Sequence, residues 1–109
     1  MKLKKIVAVQ AYTALMNLNM VGLEIQRQVE FVIFLRKCKE VFEEVLEVER
    51  KVLTKPEQPT PEEAEAIKKL HESDSGIEFS LTLDEVKALM ESNKITANVG
   101  IALMDLVGN

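Results

Sequence analysis

Three sets of side chains in this sequence have types and spacings that chemistry uses. His71 is the single histidine among 109 residues, and its ring is the usual general base near neutral pH. Catalysis would need a nucleophile or a carboxylate aimed at that ring, and none lies near it in sequence. His71 falls near the end of a predicted helix, where a cation suits the dipole, so a surface histidine is expected. Cys38 is the single cysteine. It falls on an apolar stripe, where a thiol acts as a small hydrophobe. A reactive thiolate needs an electropositive, accessible setting, and the neighbouring Arg36, Lys37 and Lys39 point around the helix. Glu40, Glu43, Glu44 and Glu47 resemble the carboxylate spacing of helical metal sites. Such sites add a histidine at Glu-x-x-His spacing, which is missing here, so a solvated face with Glu/Lys pairs is expected.

One cysteine excludes an intrachain disulfide, and a Cys/His zinc site lacks ligands. The sequence holds no glycine-rich phosphate loop and no Gly-x-Ser-x-Gly. The expectation is no catalytic, cofactor-binding or metal-ligating residues, no cofactor, and no enzymatic activity. The length fits one domain over residues 1–109, with an internal linker at 55–60. Hydrophobic residues at 47% and charged residues at 29% argue against wholesale disorder.

The net charge of −4 is unevenly spread. Lys2, Lys4, Lys5, Arg27 and Arg36 face only Glu24 and Glu30 in the first 36 residues, and the remainder is acidic. These cations are scattered and lack interleaved aromatics, so nucleic acid is not expected as a partner. The stretch from Ile6 to Leu23 follows three lysines but is interrupted by Gln10, Thr13, Asn17 and Asn19. It reads as a packed amphipathic helix rather than a leader or a membrane span. A free cysteine without a leader suggests a cytoplasmic setting, the host cytoplasm if the chain is phage-encoded.

The elements that would position these groups are mostly helical. Helical spacing of Val7, Ala8, Ala11, Leu15 and Leu18 predicts a helix over 5–19, and Gly22 suits the following turn. A long helix is expected over 23–53. Phe31, Phe34, Cys38, Val41, Val45, Val48 and Val52 run along it at alternating spacings of three and four. A second row holds Ile25, Val29, Val32, Leu35, Phe42 and Leu46. Thr60-Pro61 with Glu63 starts a helix over 61–72, with Ala64, Ile67 and Leu70 inward. Apolar residues at every odd position from Ile77 to Leu83 predict a strand. Its partner is the N-terminal segment or a strand of a second subunit. Thr82 and Glu85 open a helix to about residue 91, and Thr96 caps a final apolar segment over 97–107 that must be buried. The fold class expected is mainly α (α+β): a long helical hairpin, shorter C-terminal helices and a small two-stranded sheet.

The order of these elements resembles a family of small accessory proteins of tailed phages and prophages of Gram-positive bacteria. The likeness runs from Met1-Lys-Leu-Lys-Lys-Ile6 through Glu49-Arg-Lys51 and Ile77-Glu-Phe-Ser-Leu81. It continues through Leu83-Asp-Glu-Val-Lys-Ala-Leu89 to Ala102-Leu-Met-Asp-Leu106. It implies a phage accessory context in which a host protein is bound and modulated, and it carries over no functional residue. The residues themselves suggest a non-enzymatic protein–protein interaction module. A homodimer is expected through the face of Phe31, Phe34, Val41, Val45, Val48 and Val52. Two rivals come from other classes: a small-ligand binder or small enzyme with a site between helices, and a virion structural or assembly-chaperone protein.

Overall fold

The computed structural model describes residues 2–108. Its elements in order are β1 (Lys2–Lys4), α1 (Lys5–Leu15), α2 (Ile25–Val52), α3 (Pro61–Glu72), β2 (Asp74–Glu78), α4 (Leu83–Ser92) and α5 (Ala97–Asp105). The fold is mainly α with one two-stranded sheet, as the patterning predicts. At ~1.5 Å per residue the 28 residues of α2 span about 42 Å. They set the 45 Å long axis of the molecule. The radius of gyration is 15.2 Å, against about 13 Å for a compact domain of this length, because the far half of α2 extends beyond the main core.

The small residues Ala8 and Ala11 let α1 lie close on its neighbours, and both are fully covered together with Leu15. Tyr12 of α1 meets Phe42 of α2 at a ring separation of 5.3 Å. The first helix ends four residues earlier than expected. The Leu18 N–H turns back to the Leu15 carbonyl. Asn19 donates its N–H to Asn93 Oδ1 at 2.8 Å and accepts from Asn93 Nδ2 at 2.7 Å. This reciprocal clasp holds the α1–α2 loop to the end of α4. Gly22 has no positive φ; its role is proximity, since a Cβ there would lie 2.8 Å from the Ala88 carbonyl oxygen.

The N-terminal segment is the strand partner within the chain. β1 and β2 are antiparallel, with Lys2 opposite Glu78 and Lys4 opposite Asp74. The strand lies earlier than its apolar alternation suggests, over the polar Asp74-Ser-Gly stretch. Side chains there do the work of ladder bonds. The Ser75 hydroxyl donates to the Leu3 carbonyl at 2.7 Å and accepts from the Ile77 N–H, while Asp74 accepts from the Gly76 N–H. The register shifts between Lys2 and Lys4, and Gly76, at φ +78°, supplies a left-handed residue opposite that shift. Beyond Glu78 the alternation persists without a ladder. Ile77 and Leu81 are buried, but Leu83 is half-exposed. Leu81 is instead bound by the exit of α5, donating to the Leu106 carbonyl and accepting from the Gly108 N–H.

α3 and α4 each open with a complete capping box, Thr60 with Glu63 and Thr82 with Glu85. α3 nonetheless buries no residue. Of the three residues expected inward, Ala64 is exposed and Ile67 and Leu70 are half-covered. α5 is also only half-buried: Ala102 and Leu103 face the core while Ile101 and Met104 face out, because α1 covers it on one side.

Candidate interaction face

α2 positions the residues that sequence reasoning singled out, and its inner row is interior. Phe31, Phe34, Val41 and Val45 are buried, and Val48 and Val52 are half-buried. α2 packs on α1, α3 and β2, so the stripe expected to meet a partner is covered by its own chain. Aromatic packing locks its first half. Phe79 stacks on Phe34 at 4.2 Å between ring centres and meets Phe31 edge-on at 5.6 Å.

Arg27 closes this cluster. Its guanidinium lies 5.4 Å from the Phe79 ring centre and holds Glu85 through two bonds, of 2.7 and 3.0 Å. It also donates to Glu30 and to the Ser80 carbonyl. The Arg27 guanidinium lowers the Glu85 carboxyl below its ordinary range, against opposition from partial burial, and Glu85 in turn raises Arg27. Glu85 also accepts from the Thr82 N–H, so one carboxylate caps α4 and ties it to α2. The sequence marks Glu85 only as the partner of Thr82 at a helix start and Arg27 only as one of the scattered cations; their pairing spans 58 residues and leaves no local signal.

The chemically capable residues sit in structural roles. Cys38 is fully buried, and burial pushes its thiol up to about 12, which leaves it protonated and unreactive. His71 is not the free surface histidine expected: it is half-buried, and its Nε2 lies 3.0 Å from Oε1 of Glu49, a carboxylate 22 positions away that joins α3 to α2, while the nearby Ser73 hydroxyl is spent on the Leu70 carbonyl. In the glutamate run, Glu44 pairs with Lys5 and Glu47 with Lys51, while Glu40 and Glu43 are exposed. Among the described residues no three His, Cys, Asp or Glu side chains are grouped to hold a metal ion.

The outer side of the first half of α2 is different. Ile25, Val29, Val32 and Ile33 recur at helical spacing and are 80%, 49%, 48% and 47% exposed. A groove of about 420 Å³ runs along this face between Met20, Val29, Val32, Ile33 and Arg36. The charges at its two ends are opposite, with Glu24 at the start of the helix and Arg36 and Lys37 at the close of the row. Part of this face was visible in the sequence as the second row, Ile25, Val29 and Val32. That row does not stay on one side of the helix. Leu35 is buried, and Phe42 and Leu46 are half-buried, because spacing near 3.5 drifts around a helix of 3.6 residues per turn.

Comparison of the chain with protein-family models, with curated proteins and with solved structures finds no match.

Proposed function

We propose that the protein is a non-enzymatic protein–protein interaction module whose docking surface is the outer face of α2, and that its occupant is a second copy of the chain. The observation that carries this is the exposed row Ile25, Val29, Val32 and Ile33, opposite the buried Phe31, Phe34 and Cys38 of the same helix. Four β-branched side chains over three successive turns of a rigid helix make a pre-ordered apolar strip with little side-chain entropy left to lose. A twofold axis across the strip sets Val29 against Val32 and brings Glu24 of one copy toward Arg36 and Lys37 of the other. Parallel pairing would stack like charges. One self-complementary patch also closes the assembly at two chains. The row from Ile25 to Arg36 is about 17 Å long, which places the pair among small, concentration-dependent interfaces.

The non-enzymatic part is supported by the protonated, enclosed thiol of Cys38. The resemblance to phage accessory proteins adds a setting in which a small chain acts on a host protein by contact alone. Light scattering between about 10 and 500 µM tests the reading. The expected mass rises from 12.3 kDa toward twice that value. The double variant Val29→Glu with Ile33→Glu should remain a folded monomer throughout. A single-chain mass for the unmodified protein across the whole range overturns self-association.

A further inference from the structure

Two helices of similar length are attached to this fold very differently. α1 has 11 residues and buries Ala8, Ala11 and Leu15, whereas α3 has 12 and buries none. Only Glu63, Ile67, Leu70 and His71 of α3 are half-covered, and of its apolar side chains it is Leu70 that packs against the buried core. Among the described residues two side-chain ties reach α3 from outside. His71 Nε2 meets Glu49 Oε1 of α2 at 3.0 Å, and Thr54 donates its N–H and its hydroxyl to Glu63 Oε2, each at 3.2 Å. The two ends of α3 also differ. At its exit the Ser73 carbonyl accepts from the Lys5 N–H at 2.9 Å, where the chain enters β2. At its entrance residues 54–60 are all exposed, and such a stretch reaches about 23 Å when extended, so it leaves α3 free to move away.

We propose that α3 is a strap that opens as one unit while the rest of the fold stays closed. Leu70 and the His71–Glu49 bond release together, the helix unwinds between the linker and Ser73, and Val48 and Val52 of α2 come into water. The capping box of Thr60 with Glu63, Pro61 in the first turn, and Lys69 with His71 in the last turn favour the helix locally. A helix of 12 residues is still marginal in water by itself, so loss of its few contacts with α2 and α1 unwinds the whole of it. What it shields is the end of the inner row of α2. α1 begins at Lys5, which pairs with Glu44, and beyond that point α3 is the helix beside the half-buried Val48 and Val52. Closed, the strap keeps these two valines from solvent, and open, it presents them.

Native-state hydrogen exchange, read from ¹H–¹⁵N spectra of the full chain at fixed pH, tests the strap. The amides of residues 65–72 should share one opening constant, larger by about 100-fold or more than that of the slowest amides of α2 between Phe31 and Val45. His71→Ala should raise the α3 constant about threefold or more, since it removes the bond to Glu49. Val86→Ala, in the main core, should raise the constant of the α2 amides about tenfold or more. It should leave the α3 constant unchanged, because Val86 stays buried whether the strap is open or closed. Four results overturn the proposal: α3 amides as slow as those of α2, rates graded along α3 from one end, no response of α3 to His71→Ala, or equal acceleration of α3 and α2 by Val86→Ala.

Discussion

The two sides of the first half of α2 are both apolar, yet only one is inside. Phe31, Phe34 and Cys38 are closed off by Phe79, α1 and the sheet, whereas Ile25, Val29, Val32 and Ile33 face outward. What packs against each side separates them. The inner row supplies the rings, which meet the ring of Phe79, and the outer row is β-branched aliphatic. Apolar character alone therefore does not mark the core of this protein. The core lies where side chains from distant segments meet, and the remaining apolar row is left for another surface. The far half of α2 shows the opposite arrangement: beyond Arg36 its outer face turns to Glu40, Glu43 and Glu47, and no apolar row is left over.

The sharpest way to break this contrast is to truncate each side. Phe31→Ala empties the centre of the ring cluster and should cost about 3–5 kcal/mol in urea unfolding. A loss below about 1 kcal/mol would mean that the inner row is not the core.

Arg27→Ala comes next, because it removes the hydrogen bonds to Glu85 and the Ser80 carbonyl and uncovers Phe79. The expected cost is about 1–3 kcal/mol. The same node predicts acid sensitivity. The Glu85 carboxyl is held below its ordinary 4.5, so the folded state binds fewer protons than the unfolded state. Its contribution is fully present above that value and is lost as the pH falls through the depressed folded value. Glu85→Gln should flatten the stability profile below pH 4.5 and leave its shape above pH 6 unchanged. An unchanged acid limb would remove Glu85 from this role.

Smaller effects are expected at the helix caps. Thr82→Ala and Thr60→Ala should each cost about 0.5–2 kcal/mol. Thr82 should cost more, since its helix buries Val86 and Leu89 while the helix begun by Thr60 buries nothing. The reverse order would place α3 deeper in the fold than described. The smallest effect belongs to the outer row. Val29→Ser, unfolded at low micromolar concentration, should change stability by no more than about 0.5 kcal/mol. A cost of several kcal/mol would show that the outer row is covered within one chain.

Local chemistry made α3 and α4 legible in the sequence, because Thr60, Pro61 and Glu63, and likewise Thr82 and Glu85, act within four residues of one another. The sheet was legible in its partners but not in its register. That register depends on the Ser75 hydroxyl reaching the Leu3 carbonyl, 72 positions away, across polar residues that carry no strand alternation. The choice of inner row was hidden for a related reason. It is made by Phe79 and by the Arg27–Glu85 pair, which join α2 to segments more than forty residues distant, while the spacing of the two rows looks alike.

The most direct test of which side of α2 makes contact is an isotope-filtered NOE experiment on an equal mixture of ¹³C-labelled and unlabelled protein at high concentration. Intermolecular NOEs should connect the methyl groups of Val29, Val32 and Ile33. NOEs from Val41 and Val45 instead, or none between chains, would contradict an outer face built for contact.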